Sequence, residues 1–381
     1  MTIYLDCNAT TPIEPEVADI VMFYMREEYG NAGSRTHEFG LKAKRAVELA
    51  RKQVAQVVDA EPSEVIFTSG ATESNNLALL GLAAAAEAQG RRHIISSPME
   101  HKAVLEPLEQ LRLRGFDVEL LPADERGWID PRDLATALRP DTSLVSLMHV
   151  NNETGVKQPL LEYAQVLEGH SAFFHTDSAQ GFGKEFAPLV SKRIDLISIS
   201  GHKIYGPKGV GALVARRRGF DRIPLAPLVF GGGQEWGIRP GTLAVPLVAG
   251  LGTAAQISMR DEEVRAAGNL EHFNFAAKAL SSIGGVVNGD PNSLVGLSMN
   301  VSLPGADSEA VMLAMKGVVA ISNGSACTSQ DYKPSHVLTS MGMSSDRING
   351  AIRVSWSHLT PAVDWEKVRA SVSVLLSCFA E

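Results

Sequence analysis

The segment Asp195-Leu196-Ile197-Ser198-Ile199-Ser200-Gly201-His202-Lys203 joins an apolar run to a glycine turn and a lysine. The run predicts a short buried β-strand, and Gly201 lets the backbone turn tightly where that strand ends. Strand-like runs of the same kind recur on both sides of this segment. The predicted strands cover residues 65–67, 93–96, 118–121, 143–150, 172–176, 194–200 and 210–214.

Helical spacing of apolar residues separates these runs, as in 38–59, 77–80 and 102–113. Strands that alternate with helices predict an α/β fold with a mainly parallel sheet covered on both faces. Ligands of such folds bind beyond the carboxyl ends of the strands. After Met259 the pattern restarts with a long helical stretch and a strand-like run at 296–303, which predicts a small carboxy-terminal domain.

The composition limits the class of protein. With 381 residues and 45% hydrophobic content, the chain can build two domains with sizeable cores. A net charge of −8 disfavours nucleic acid or an anionic membrane as a direct partner. No apolar run reaches the roughly 18–20 residues that span a bilayer, and Met1–Asp6 resembles no signal peptide, so we expect a cytoplasmic protein without a membrane partner.

Lys203 is well placed for carbonyl chemistry, because a strand-end amine in a small pocket can form a Schiff base with an aldehyde cofactor. Asp177 ends the preceding strand. One interpretation is that it caps the next turn. The other pairs it with the pyridine nitrogen of pyridoxal 5'-phosphate (PLP), so that the ring accepts electrons. The lysine and the aspartate together favour PLP.

A phosphate site is the second element that a PLP enzyme needs. Thr68-Ser69-Gly70-Ala71-Thr72-Glu73-Ser74 lies between a strand and a helix, where N–H groups and hydroxyls suit an anion. A simple capped turn is the alternative. The segment is no Walker loop, since it lacks Gly-Lys-Ser/Thr. Gly231–Thr242 is either a flexible loop or a second approach to phosphate, across a subunit boundary.

Three further residues have both a functional and an ordinary interpretation. His101 follows a strand and either stacks on a cofactor ring and moves protons or is a satisfied core histidine. Asn152 belongs to a turn or binds a ring hydroxyl or a carboxylate. Arg353 is a salt-bridge partner or a bidentate carboxylate clamp.

The cysteines Cys7, Cys327 and Cys378 have neither metal-site spacing nor a disulfide framework, and no metal is expected. Cys327 stands in Gly324-Ser325-Ala326-Cys327-Thr328-Ser329. A buried inert thiol is the common case, but small polar neighbours favour an exposed nucleophile. Cys7 and Cys378 have no such setting, and we interpret them as structural.

In order along the chain, the motifs at 68–74, 100–103, 151–153, 200–203 and 324–329 resemble those of cysteine desulfurases of the NifS/IscS branch, in the class V aminotransferase superfamily. The resemblance runs from Tyr4-Leu5-Asp6 to Arg353. It implies PLP fold type I, with a large domain at 16–258 whose sheet has seven strands. Residues 1–15 and 259–381 would form a smaller α+β domain that carries the cysteine loop, and the protein would be a homodimer.

The resemblance also implies roles for single residues. Lys203 would bind the PLP aldehyde and move the Cα proton, and His101 would stack on the ring. Cys327 would take sulfur from L-cysteine as a persulfide, leaving L-alanine, and pass it to an acceptor protein. The other implied positions are Asp177 at the ring nitrogen, Gln180 and Asn152 near the ring hydroxyl, Ala71, Thr72, Ser200, His202 and the partner's Thr242 at the phosphate, and Arg353 with Asn152 at the substrate carboxylate.

Two departures from the family pattern bear on the acceptor. Trp236 stands where an arginine is usual, and Ser357-His358 stands where Gly-Arg is usual. The chain also continues only briefly past Cys378, without the longer tail that often docks an iron–sulfur scaffold. These features indicate the DndA-like desulfurases of DNA phosphorothioation, beside iron–sulfur assembly, as the branch and destination of the sulfur.

Other functions stay open at this point. A selenocysteine lyase or an aminotransferase would use the same fold, although the cysteine segment argues against the aminotransferase. A catalytically silent sulfur-relay scaffold is the alternative from another class, and intact Lys203, Asp177 and Cys327 argue against it. A nucleotide-binding module lacks its glycine signature.

Overall fold

The computed structural model describes residues 2–323 and 334–379 of the chain. Secondary structure covers most of this part. Its strands are β1 (Ile3–Tyr4), β2 (Val65–Thr68), β3 (His93–Ser96), β4 (Asp117–Leu120), β5 (Thr142–Ser146), β6 (Phe173–Asp177), β7 (Leu196–Ser200), β8 (Gly211–Ala215), β9 (Val286–Val287), β10 (Ser298–Ser302), β11 (Val319–Ala320) and β12 (Ala351–Ser355).

The helices mostly follow the strands they pack on. They are α1 (Pro15–Arg26), α2 (Glu38–Val57), α3 (Ala71–Ala88), α4 (Lys102–Leu113), α5 (Pro131–Ala137), α6 (Leu160–Val166), α7 (Val245–Arg260), α8 (Glu262–Ser281), α9 (Ser308–Ala314), α10 (His336–Ser340), α11 (Ser345–Asn349) and α12 (Trp365–Phe379).

Seven strands form the central sheet, in the order β2-β8-β7-β6-β5-β3-β4. Six of them run in one direction, and β8 runs antiparallel to both of its neighbours. The predicted mainly parallel seven-stranded sheet is therefore confirmed. The strand predicted over 143–150 was too long: β5 ends at Ser146. Beyond it, Met148 N donates to Glu100 Oε1 at 2.7 Å, since β3 ends at Ser96 and offers no further strand partner.

The sheet is buried on both faces because alternate residues of a strand point to opposite sides. Ile66, Ile94 and Leu144 pack in a cluster with apolar residues of α3 and α4. Their neighbours Phe67, Ile95 and Val145 belong to a second cluster with residues of α2, α6 and α7. Both-sided burial explains why these strands appear in the sequence as continuous apolar runs rather than as alternating ones.

A third core lies in the carboxy-terminal part. The antiparallel sheet β12-β10-β9 packs on α8, α9 and α12 around Met299, Ile352, Trp356 and Val372. Leu5 joins this core from the other end of the chain, and β1 pairs with β11. The shared core supports the proposed division between 16–258 and the two outer segments, whose boundaries stay a prediction. Within the two described ranges, no helix has the length and apolar content needed to cross a membrane.

Candidate active site

A cavity of about 540 Å³ opens where β2, β6 and β7 end. The connections after β3 and β5, an amino-terminal segment and β12 complete its wall. Most of the residues predicted from the sequence meet here. The predicted residues that line it are Ala71, Thr72, His101, Asn152, Asp177, Gln180, Ser200, His202, Lys203 and Arg353.

Lys203 lies on a single 3₁₀ turn, Gly201–Lys203, directly after β7. Its Nζ donates to Ala9 O at 2.8 Å and to Asn8 O. Asn8 and Ala9 line the same cavity. The amino-terminal segment therefore holds the lysine amine at the wall of the cavity, where the predicted carbonyl chemistry would take place.

Asp177 is buried at the end of β6. Its Oδ2 accepts from Asn75 Nδ2 at 2.7 Å, and its Oδ1 accepts from Ala179 N at 2.9 Å. The second bond is the turn cap that the ordinary interpretation predicts. The first comes from helix α3 and fixes the plane of the carboxylate, so Asp177 is both a cap and a preorganised acid facing the cavity.

An anion cradle lies at the start of α3. Gly70 precedes the helix with φ of 155°, which a residue with a Cβ rarely adopts. A Cβ on Gly211 would lie 2.6 Å from Gly70 Cα, so this close approach requires glycine there. The first N–H groups of a helix have no intrahelical partner. Ala71 and Thr72, together with the Ser200 side chain, therefore suit an anion.

His202 completes this side of the cavity. Its Nδ1 lies 3.1 Å from Thr10 Oγ1. Burial, followed by the charges of Lys203 and Lys208, lowers the pKa of His202 to about 4. The ring is therefore neutral at pH 7 and keeps one N–H to donate.

His101 caps helix α4, and its Nδ1 accepts from Ala103 N at 3.1 Å. This bond places the proton of the neutral ring on Nε2. Burial lowers the pKa of His101, while the Asp177 charge acts in the opposite direction. A neutral imidazole beside Asp177 suits stacking on an aromatic ring.

Arg353 lies on β12 and is 2% exposed. Its Nη1 donates to Asn152 O at 2.9 Å, and its Nη2 donates to Asp6 Oδ1 at 2.7 Å. Asn152 Oδ1 and Arg353 Nε are buried without a hydrogen-bond partner among the described residues. A buried guanidinium beside an unsatisfied amide is a site prepared for a polar ligand.

Two predicted residues are not among those that line this cavity in the described part of the chain. Thr242 does not line this cavity in the described part of a single chain. Cys327 falls outside the described residues. Described residues close to Cys327 along the chain are held by hydrogen bonds on both sides. On the amino-terminal side, Ser322 Oγ donates to Asp6 Oδ1 at 3.0 Å, and Ser322 O accepts from Arg353 N at 2.6 Å. On the carboxy-terminal side, Ser335 Oγ donates to buried Glu153 Oε2 at 2.5 Å.

Trp236, the first departure, stands beside a buried ion pair. Arg51 bonds Glu235 with both Nη atoms, at 2.9 and 2.6 Å, and Glu235 also accepts from Phe67 N at 2.8 Å. The Trp236 ring lies between the guanidinium groups of Arg51 and Arg222, 4.8 and 5.0 Å from its centroid. Trp236 therefore packs on the Arg51 side of this ion pair, and it is not among the described residues that line the cavity.

His358, the second departure, packs on Tyr205, two residues after Lys203 in the chain. Its Nε2 lies 2.9 Å from Glu14 Oε2, and its ring meets the Tyr205 ring edge-on at 4.5 Å. Ser357 Oγ accepts from Leu359 N at 3.2 Å and thereby closes the turn. The effect of these departures on the sulfur acceptor or on entry to the site stays a prediction.

Sequence reasoning missed the residues that hold the predicted ones in place. Asp6 ends the quoted Tyr4-Leu5-Asp6, and Asn8 and Ala9 follow it closely, but nothing local shows that these residues reach Lys203 and Arg353. Asn75 directly follows the anion motif, and a polar residue on a helix face that is otherwise buried was the available signal.

The chain is similar to known proteins along nearly its whole length. The family model described as aminotransferase class-V matches residues 3–368. The cysteine desulfurase of Homo sapiens is 44% identical over 362 residues, 94% of this chain and 78% of the human protein. The crystal structure of DndA from Streptomyces lividans is 49% identical, with a TM-score of 0.81 over 93% of this chain and 99% of that one. SspA in complex with cysteine is 34% identical, with a TM-score of 0.83 over 94% and 100%.

Proposed function

This chain belongs to the aminotransferase class-V family, and from that premise we propose that it is an L-cysteine desulfurase. It would convert L-cysteine to L-alanine and leave the sulfur as a persulfide on Cys327. The observation that carries the proposal is that Lys203, Asp177 and Arg353 line one cavity. An amine, an acid and a carboxylate clamp are the three groups that PLP chemistry on an amino acid requires.

The residues present fit PLP. A buried, oriented Asp177, the anion cradle at the start of α3 and the unsatisfied Asn152 Oδ1 offer partners for a ring nitrogen, a phosphate and a ring hydroxyl. Lys203 would hold the aldehyde, and Gln180 and His101 would flank the ring. When bound, PLP supplies an electron sink that weakens bonds to the Cα of an amino acid.

Arg353 selects the substrate by its carboxylate. The guanidinium is buried and held in position by Asn152 O and Asp6. A planar cation with fixed direction binds a carboxylate through two parallel bonds, which a lysine cannot do. The structure of SspA with cysteine shows that a 34% identical relative binds this amino acid.

We expect Arg353→Lys to raise the KM for cysteine about 10–100-fold, because losing one charge-assisted bond costs about 1.4–2.8 kcal/mol. The turnover number should fall much less, since the positive charge stays. Steady-state kinetics of alanine release would measure both. Arg347→Lys is the matched control. Arg347 donates a 3.1 Å hydrogen bond to Val287 O and is not among the residues that line the cavity. An unchanged KM for Arg353→Lys would remove the arginine from substrate binding.

Lys203 is the residue that moves the proton. With the substrate in the cavity that Lys203 lines, its Nζ would lie close to the substrate Cα and would take the proton from it. General acid–base catalysis of this kind contributes about 10²–10⁴-fold. The carbonyl groups of Asn8 and Ala9 keep the amine near this position.

The described ends of the chain on either side of Cys327 support its role as nucleophile. Cys327 lies four residues after Asn323, and Ser322 pairs with the backbone of Arg353. Four extended residues span at most about 14 Å. This length of chain is enough for the reach that the proposed transfer requires.

The sulfur transfer balances without an external oxidant. The Cys327 thiolate attacks the sulfur of the substrate, and an S–S bond forms as the Cβ–S bond breaks. The electron pair stays on the substrate carbon, which takes a proton and becomes the methyl group of alanine. The transferred sulfur is oxidised to the persulfide level, and the carbon is reduced by the same two electrons.

We infer that the protein works as a homodimer, with Thr242 completing the phosphate site of the partner subunit. A smaller cavity adjoins the first and shares Ser69, Thr72 and Glu73 with it. Leu228 and Val229 line this smaller cavity, and the neighbouring Phe230 is 84% exposed. An exposed apolar segment beside an active site is well suited to be covered by another subunit.

The last partner to assign is the protein that accepts the sulfur. The 49% identity with DndA favours sulfur delivery to the DNA phosphorothioation pathway through an acceptor protein, with iron–sulfur assembly as the other destination. We propose no direct contact with DNA, and a cytoplasmic location stays a prediction.

The decisive experiment incubates the PLP-loaded protein with L-cysteine and a thiol and measures alanine and sulfide. We expect equal amounts of both, and a visible absorption band near 400 nm from bound PLP. Alanine from selenocysteine but not from cysteine would identify a selenocysteine lyase. 3-Mercaptopyruvate, formed when the amino group is transferred and the sulfur stays on the carbon, would identify an aminotransferase.

A further inference from the structure

A lysine outside the active cavity contacts a residue of its wall. Lys184 follows β6 by a short turn, and its Nζ donates to Gln180 Oε1 at 3.1 Å. It also lines a second cavity of about 450 Å³ between this turn, α8 and residues 294–297. Lys184 is therefore linked by a hydrogen bond to Gln180, which lines the active cavity.

Gln180 in turn reaches Lys203 through one carbonyl group. Its Nε2 donates to Asn8 O at 2.9 Å, and the same oxygen accepts from Lys203 Nζ. Lys184, Gln180, Asn8 and Lys203 thus form a continuous hydrogen-bonded chain across the wall of the cavity.

These hydrogen bonds determine which end of the Gln180 amide faces the active cavity. An amide has an acceptor oxygen and a donor nitrogen of nearly equal size, so only its partners fix the orientation. Protonated Lys184 has donors alone and occupies the oxygen. The amide nitrogen is left for Asn8 O and for the cavity.

We propose that Lys184 is a positioning residue, which orients the Gln180 amide toward the cofactor and places a positive charge behind Lys203. This inference rests on the proposed PLP function. Without Lys184, the amide is free to rotate by 180° and to present its oxygen to the electron-rich ring hydroxyl. The electrostatic effect on Lys203 would be lost at the same time.

The charge of Lys184 is sensitive to its surroundings. Burial, followed by the charge of Lys203, lowers the pKa of Lys184 to about 7, and Cys7 acts in the opposite direction. Lys184 is protonated below this pH and neutral above it, where it still donates an N–H to Gln180. The titratable and charged groups that face it or line its cavity are Cys7, Lys157, Glu185, His202, Lys203, Tyr205, Glu262 and Arg265.

The test compares Lys184→Met, which removes donor and charge, with Lys184→Arg, which keeps both. Lys157→Met is the matched control, because Lys157 lines the same second cavity but pairs with Glu185 at 3.3 Å. Two properties of each protein are measured without cysteine. One is the Kd for PLP, and the other is the pH midpoint of the visible absorbance of bound PLP.

For Lys184→Met we expect PLP binding about tenfold weaker and a midpoint about one pH unit higher, since removing a nearby positive charge favours a protonated Lys203 nitrogen. Lys184→Arg and Lys157→Met should stay close to the parent protein. Circular dichroism checks folding, and Lys184→Leu replaces Lys184→Met if the latter is unfolded.

An unchanged Kd and midpoint in Lys184→Met would overturn the inference, as would equal changes in Lys157→Met or no rescue by Lys184→Arg. These results are separable from failure of the desulfurase proposal, because no turnover is measured. A parent protein that binds PLP but releases no sulfide contradicts only the proposed function. A parent protein that binds no PLP contradicts both.

Discussion

Replacing Lys203 with alanine is expected to lower alanine release from cysteine by at least about 10³-fold, within the range of general acid–base catalysis. Lys203 is the amine at the end of β7, held in the cavity by the carbonyl groups of Asn8 and Ala9. Its loss removes both the group that holds the PLP aldehyde and the base for the Cα proton. No other predicted residue combines these two functions.

Two measurements define the result for Lys203→Ala. Single-turnover release of alanine gives the loss of rate, and the visible spectrum of the PLP-loaded protein shows whether the lysine-bound form is absent. Lys192→Ala is a suitable control, because Lys192 pairs with Asp59 on the surface at 2.5 Å. Normal turnover by Lys203→Ala would refute the mechanism, and a loss shared by Lys192→Ala would indicate a general defect.

Replacing Cys327 with serine is expected to abolish the enzyme-bound persulfide while leaving the PLP spectrum unchanged. Serine has nearly the same size but gives no thiolate near neutral pH, and the thiolate is the attacking species. Labelling of persulfides followed by mass spectrometry would measure the product after one exposure to cysteine. Cys378→Ser is the matched control and should form the persulfide at the parental level.

Cys7 is the other thiol to consider as the nucleophile, and its surroundings argue against that role. It is 4% exposed, and burial raises the pKa of its thiol above the ordinary value. A thiol of this kind is a poor nucleophile at neutral pH. Full persulfide formation in Cys327→Ser, or a persulfide found on Cys7, would assign sulfur transfer to another residue.

The sequence predicted the fold, and it singled out many of the residues that line the cavity, because both follow from local patterns. Apolar runs that alternate with helices indicate a parallel sheet, and residues such as Asp177 and Lys203 directly follow such runs. The carboxyl ends of parallel strands meet at one edge, so these residues had to lie close together. The length of β5 was the local error, since a side chain, Glu100, replaces a strand as the partner of Met148.

What the sequence determined by itself was therefore the sheet and the identity of the polar groups that meet where its strands end. Only the tertiary structure decided how those groups are held: Asn8 and Ala9 on Lys203, Asn75 on Asp177, Asp6 on Arg353 and Lys184 on Gln180. Periodicity shows which face of a strand or helix is buried. It contains nothing about which distant segment covers that face, because long-range pairing depends on the packing of the whole chain.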